Sequence, residues 1–276
     1  MKLTPKLAVL SYTALCSIAS AQAPAEPAAS SAPASDERAV SRPFIALFPA
    51  EILIMVRCRP GQGTTESLSV ANNTASDITF HVVSQDVVVR EGKRSLSPAG
   101  QIANGIAANS VAWPALLLVK AGQQGTVQVT FTLPLETKQR AVVTQLRAVL
   151  APSGTGASGV GVTLGTLITF SVSGDYQVEI GPVQAQTSAA NLILSEELRN
   201  SGTEPVAPKG VIVIFNESGK RVAKASFPPL RLLPGEQLPF AATNPATLAP
   251  GHYHTLSSFE FERKVLTSAG EFTVPE

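Results

Sequence analysis

The stretch from Val160 to Val172, V-G-V-T-L-G-T-L-I-T-F-S-V, alternates apolar residues with small or polar ones. Val160, Val162, Leu164, Ile168, Phe170 and Val172 occupy even positions, and Thr166 is the polar interruption. Gly161, Thr163, Gly165, Thr169 and Ser171 occupy odd positions, with Leu167 the exception. Side chains of a strand point alternately to its two faces, so this period of two specifies one strand with one apolar face. It is longer than the usual five or six residues. A strand of this kind either closes a sandwich or offers its apolar row to a partner, and the sequence favours the second.

The rest of the chain is built of the same kind of unit. From Phe44 onward nearly every segment is a short β-forming run closed by a turn. Ile52 to Cys58 ends at Arg59-Pro60-Gly61, and Glu66 to Ala71 ends at Asn72-Asn73. Ile78 to Val89 precedes the turn Glu91-Gly92-Lys93. Ser95 to Ser110, rich in glycine and alanine, reads as an irregular crossing loop. Trp113 to Val119, Gly125 to Leu133 and Ala141 to Leu150 are further strands, and the Val160 strand completes a first domain. Strands follow again from Tyr176 to Val274, with turns at Asn200-Ser201-Gly202, Asn216 to Gly219 and Leu233-Pro234-Gly235. Turns at this spacing, with no amphipathic helix between them, specify an all-β chain of two tandem immunoglobulin-like antiparallel sandwiches. The expected domains are residues 44–173 and 174–276. Leu248-Ala249-Pro250-Gly251-His252-Tyr253 resembles a tyrosine corner, in which Tyr253 returns its hydroxyl to the corner backbone.

The N-terminus reads differently. Lys2 and Lys6, the apolar run from Leu7 to Ser20 and the small-x-small site Ala19-Ser20-Ala21 make residues 1–21 a secretory signal peptide. The run is too short to span a membrane, so the mature chain is expected to have no span. Residues 22–43, dominated by proline, alanine and serine, read as a disordered linker. Lysine and arginine total 21 against 20 acids, and loss of Lys2 and Lys6 keeps the chain near neutral. Such a chain has no broad field for nucleic acid. Only 15% of residues are charged, so some surface is expected to be covered or apolar. After cleavage Cys58 is the sole cysteine, so no internal disulfide forms and stability rests on packed cores.

No catalytic set emerges. Gly154-Thr155-Gly156-Ala157-Ser158-Gly159 matches G-x-G-x-x-G, but a β-branched strand follows where a nucleotide fingerprint needs a helix. His252 and His254 share a strand face, yet His81, in the other domain, is the only further histidine, so no metal site is expected. Cys58 lies between Arg57 and Arg59, which could activate a thiolate, although a half-buried small hydrophobe is the simpler reading. Arg57 and Arg59 share one strand face, and either grip a carboxylate or keep an edge strand from aggregating. No cofactor is expected.

Taken together, the runs E-S-L-S-V-A-N-N at Glu66 to Asn73, Leu118 to Gln124 before Val127 and Val129, the Val160 to Val172 strand, Leu198 to Gly202, Val211 to Gly219 and Leu232 to Glu236 resemble the periplasmic pilus chaperones, the PapD-like family. The resemblance implies a non-enzymatic periplasmic or cell-surface protein that lends an alternating strand to a pilin-like or surface-protein subunit. It implies Val160, Val162, Leu164, Ile168 and Phe170 as the donated row. It also implies a carboxylate anchor of two basic residues, with Arg57 or Arg59 in the first role. The second has no counterpart, because no lysine or arginine occurs between Arg147 and Glu179. The layout is also similar to two-sandwich surface proteins of other bacteria, and that resemblance implies a structural or adhesive envelope protein with no donor strand.

Overall fold

A computed structural model describes residues 45–48, 54–149, 162–187, 191–244 and 248–275. The signal-peptide and linker segments, Cys16, Val160 and the glycine-rich run at 154–159 lie outside the described residues.

The first sandwich contains β1 (Ile45–Phe48), β2 (Ile54–Arg57), β3 (Gly63–Asn72), β4 (Ile78–Arg90), β5 (Lys93–Pro98), β6 (Ser110–Trp113), β7 (Leu116–Val119), β8 (Gln123–Thr132), β9 (Ala141–Val149) and β10 (Thr163–Ser171). One sheet has the order β1-β3-β8-β6, and the other runs β2-β10-β9-β4-β5 with β7 also on β4. Alternation explains the pairing of the two layers. Leu68 and Val70 on β3, Val127, Val129 and Phe131 on β8, Val142 and Leu146 on β9, and Ile168 and Phe170 on β10 are all buried in one core. Phe131 and Phe170 meet edge to face across it, ring centres 5.5 Å apart.

The opening of the chain is shared between the sheets: β1, ahead of the expected Ile52 to Cys58 strand, runs antiparallel to β3, and β2, within that strand, runs parallel to β10. The β2–β10 pair departs from the purely antiparallel expectation. Likewise Trp113 to Val119 breaks at Pro114, so that β6 joins β8 while β7 joins β4. The expected crossing loop after Glu91 is corrected too: it holds β5 and a 3₁₀ turn at Ala107–Asn109. β5 is an edge strand with nearly every side chain exposed, so no burial periodicity marks it in the sequence. The turn is held by buried Asp86, whose Oδ1 accepts the amides of Ile106 (2.8 Å) and Ala107 (3.0 Å). Gly105 permits this approach, since a Cβ there would lie 2.4 Å from Asp86 Oδ2.

The second sandwich contains β11 (Val178–Thr187), β12 (Leu192–Asn200), β13 (Lys209–Asn216), β14 (Arg221–Phe227), β15 (Gln237–Asn244), β16 (Gly251–Phe261) and β17 (Lys264–Val274). Its sheets are β11-β12-β15 and β14-β13-β16-β17, packed around Leu194, Leu198, Ile212, Ile214, Phe240 and Phe259. Tyr253, near the start of β16, donates its hydroxyl to the Ala249 carbonyl at 2.7 Å and stacks on Phe272. Gly251, at φ 154°, supplies the corner's backbone turn. The molecule is thus two tandem immunoglobulin-like β-sandwiches.

The sandwiches meet along the foot of β10. Leu167 joins Val87, Ala141 and Leu233 in a small buried cluster. The Gln237 amide donates to the Gly92 carbonyl.

Candidate partner-strand site

The backbone of β10 has two ends with different surroundings. β9 flanks it from Thr163 to Thr169. β2 flanks its other side only from Ile168 to Ser171. Among the described residues, Thr163 to Leu167 is therefore paired on one side alone. Two hydrogen bonds fix which groups face the open side. Ala148 N–H donates to the Val162 carbonyl (2.9 Å), and Phe170 N–H to the Arg140 carbonyl (2.8 Å). Even-numbered residues thus direct their backbone groups to β9, and the register is continuous between them. Thr163 and Gly165 direct theirs to the side that has no neighbour among the described residues, and Leu167 stands at the boundary where the β2 pairing begins. Farther down, the Ser171 carbonyl accepts the Cys58 amide, so odd residues there are satisfied on the β2 side.

The side chains divide in the same way, which corrects the expectation of a uniformly presented row. Ile168 and Phe170 are 0% exposed and belong to the sandwich's own core. Val162 and Leu164, at the upper end, are only half-buried. Val160 lies outside the described residues. The even positions point inward because β10 lies between β2 and β9 and must cover the core from above. Thr166, the polar interruption, is buried with them, and its hydroxyl has no hydrogen-bond partner among the described residues.

On the outer face, exposed apolar side chains stand across the sheet from this upper half. The register aligns Thr163 with Arg147, His81 and Leu116 across β10, β9, β4 and β7. The row above aligns Val149, Thr79 and Leu118. Leu116, Leu118 and Val149 are each more than half exposed. The Arg147 guanidinium is braced by the side-chain carbonyls of Gln145 (2.7 Å) and Gln85 (3.2 Å). The outer face of this sheet is therefore polar and basic next to β10 and apolar farther out, at Val149 and on β7.

Below it, the closed half abuts a set of charged crossings between the sandwiches. Each has its arginine in the first and its glutamate in the second. Arg140 Nε meets buried Glu204 Oε1 at 3.1 Å, while Glu204 Oε2 accepts the Val172 amide at 2.8 Å. Arg94 forms a bidentate contact with buried Glu236, whose Oε2 also accepts the Leu233 amide. Arg57 Nη2 reaches Glu262 Oε2 at 3.3 Å. Arg231 lies among them, against Met55, and burial pushes its guanidinium down to about 10, opposed by the attraction of Glu262. It remains a cation at neutral pH. A cleft of about 160 Å³ between Val87, Arg140, Ala141 and Leu233 opens beside these contacts.

The two arginines singled out from sequence do not share a strand face. Arg57 ends β2, whereas Arg59 lies in the following turn, where its amide donates to Gln62. Cys58 is half-buried and packs against the core. Burial pushes its thiol up, with Arg140 pulling it down and Glu204 pushing it up again. Cys58 is thus the half-buried small hydrophobe that the sequence favoured over a thiolate activated by Arg57 and Arg59: desolvation dominates, and the arginine that acts on it is Arg140. His252 and His254 are exposed, and His252 Nδ1 lies 2.9 Å from Thr273 Oγ1. Among the described residues no group of three potential metal ligands forms, and no helix is long and apolar enough to cross a membrane. The interdomain carboxylates Glu204, Glu236 and Glu262 escaped sequence reasoning, because each meets its partner only after folding.

No family model matches the sequence, and no curated protein matches it. Among solved structures, the chain is similar to a chaperone–tip adhesin complex of CFA/I fimbriae biogenesis (TM-score 0.45, 11% identity, covering 84% of this chain and 100% of that one). It is similar to the class 5 fimbriae chaperone CfaA (TM-score 0.43, 13% identity, 84% and 100% covered). It is similar also to the E. coli chaperone DraB (TM-score 0.39, 12% identity, 85% and 99% covered). With TM-scores below 0.5, these likenesses say nothing of this chain's partner.

Proposed function

We propose that this protein is an exported, non-enzymatic chaperone-like protein that receives a strand of a pilin-like or surface-protein subunit on the open edge of β10. The single observation that carries the reading is that, among the described residues, β10 from Thr163 to Thr166 has a neighbour on one side only, with the backbone groups of Thr163 and Gly165 directed to the other. An added strand would satisfy those groups, and side-chain contacts would supply selectivity. Val162 and Leu164, with Val160 beyond them, form the half of the alternating row available to such a partner. Ile168 and Phe170 serve the fold. Arg57, with 77% of its side chain exposed, is the carboxylate anchor of this reading, exchanging Glu262 for a partner's carboxylate. Arg59, past the strand, is the less suited of the pair. The basic, apolar and small-residue start supports export to the periplasm or cell surface, with residues 44–173 and 174–276 as the two folded domains.

A second reading, a structural or adhesive envelope protein, is favoured by the closed lower half of the same strand. Residue-resolved amide exchange on the protein alone separates the two. Thr163 and Gly165 should exchange fast while Leu164 and Thr166 stay protected. Uniform protection would mean the edge is already covered, and the envelope reading would replace this one. In cells, a photo-crosslinking residue at Thr163 should capture an exported subunit, and Gly165→Pro should abolish the adduct. An adduct that survives this substitution would argue against strand pairing.

A further inference from the structure

The outer face of the opposite sheet in the first sandwich has a composition that the partner-strand reading does not use. β3, β8 and β6 lie side by side there. Their inward residues are core, with Val127, Val129 and Phe131 completely buried. Their outward residues, from Gly63 to Ala71 on β3, from Gln124 to Thr132 on β8 and at Val111 and Trp113 on β6, are glycine, alanine, serine, threonine, glutamine, valine and tryptophan only. No charged side chain stands on this face of the three strands. Solvent-facing strands ordinarily carry charge for solubility and against edge pairing.

The registers arrange these residues in rows. Ser67, Gln128 and Trp113 form one, and Thr65, Thr130 and Val111 the next. The hydroxyls of Thr65 and Thr130 share a hydrogen bond of 2.8 Å, which orients both. Trp113 is 77% exposed and Val111 68%. An indole left in water beside an ordered row of hydroxyl and amide groups has an apolar body with no cover.

We infer that this face binds an extended, uncharged glycan. A pyranose ring presents C–H groups on its faces and hydroxyls around its rim. The indole of Trp113, with Val111 beside it, matches the first. Threonine hydroxyls, each able to donate and accept, and the Gln128 amide match the second. The absence of charge selects against phosphate, uronate and charged peptide. The outward row of β8 from Thr126 to Thr132 runs about 20 Å at ~3.3 Å per residue, which accommodates a chain of sugars better than one ring. A protein strand is the poorer occupant, because β6 offers an edge of only four residues.

Trp113 is the only tryptophan of the chain, so its fluorescence reads the face directly. The full-length protein is titrated with cellohexaose, xylohexaose, mannohexaose and chitohexaose, with hexagalacturonate as the charged control. At least one neutral hexasaccharide should shift the emission to the blue and shield it from acrylamide, saturably, with a Kd of about 1 mM or tighter. Gln128→Ala with Thr130→Ala, both at exposed positions, should weaken that binding about tenfold. Calorimetry on Trp113→Ala should show it lost, with an unchanged melting temperature. The proposal is overturned by no response to any neutral sugar or by an equal response to hexagalacturonate. It is equally overturned by a blue shift that grows with protein concentration in the absence of sugar, which would make a second copy the occupant.

Discussion

The two halves of β10 have the same alternating sequence and opposite structural roles. From Ile168 to Ser171 the strand is closed: β2 and β9 flank it, its even side chains fill the core, and Thr169 and Ser171 are buried on the other face. From Thr163 to Leu167 it has one neighbour among the described residues, and Val162 and Leu164 remain half-buried. Alternation specifies two faces equally well in both halves. What differs is the company each half keeps: a crossing strand and a second sandwich below, reached from Leu167 onward, and neither above it among the described residues. A single strand can therefore anchor a fold at one end and offer hydrogen-bonding capacity at the other.

Truncation should expose that difference most sharply. Phe170→Ala removes a ring that is 0% exposed and in contact with Phe131, and should cost about 3–5 kcal/mol in chemical denaturation. Leu164→Ala, made six residues away in the same row, should cost less than half as much, because its side chain is already partly in water. Equal losses would mean that the upper half is as enclosed as the lower, and the comparison would collapse. The closed end has an electrostatic counterpart. Glu204→Ala leaves Arg140 without its carboxylate and the Val172 amide without its acceptor, both at a buried junction. Breaking a buried pair from one side should cost roughly 3–5 kcal/mol.

Proline scanning tests the backbone parity directly. Thr166→Pro deletes an amide directed to β9 and should destabilise by about 3 kcal/mol or more. Gly165→Pro deletes one directed to the open edge, so it should cost much less, as proline is tolerated where a strand's amide faces solvent. If the two substitutions melted the protein alike, the assignment of open and closed sides would be wrong.

Those tests turn on features that the sequence reveals unevenly. The long strand β8 is legible because one face of it is buried, and burial imposes the period of two, while β4 and β10 are legible as long runs of β-forming residues closed by turns. The Tyr253 corner is legible because donor and acceptor are four residues apart. Asn72 and Asn200 also leave local signatures. Each is 0% exposed at the end of a long strand, β3 and β12, and each ties down the following loop through its side-chain amide. β5 leaves none, being exposed on both faces. The direction of the apolar row of β10 was not legible either, because a period of two says that two faces differ and not what covers each. The Arg94–Glu236 contact joins residues 142 positions apart, and no local pattern encodes it.

At the boundary between the halves, Thr166 carries a buried hydroxyl with no partner among the described residues. Thr166→Val keeps the shape and removes the uncompensated group. It should raise stability by about 1 kcal/mol in thermal or urea unfolding, the scale set by the desolvation of one unsatisfied polar group. A loss instead would mean that the hydroxyl is satisfied in solution, by water entering from the open end, and the closed half would then begin lower than Ile168.

The smallest effect is expected where the lower half meets solvent again. Arg57 and Glu262 pair across the sandwiches with the arginine largely exposed, so Arg57→Ala should cost about 1 kcal/mol or less, and less again in high salt. Its partner occupies a costly position. Glu262 and Arg263 form the turn between β16 and β17 at φ 41° and 65°, a left-handed conformation that glycine adopts without penalty. Glu262→Gly loses a weak ion pair and its attraction on buried Arg231 but gains backbone ease, and its stability should stay within about 1 kcal/mol of the parent in unfolding experiments. Arg57→Ala has no such compensation. If Glu262→Gly were instead the more damaging of the two, the crossing would be a structural tie of the closed half. It could not then give Arg57 up to a partner's carboxylate without loosening the fold.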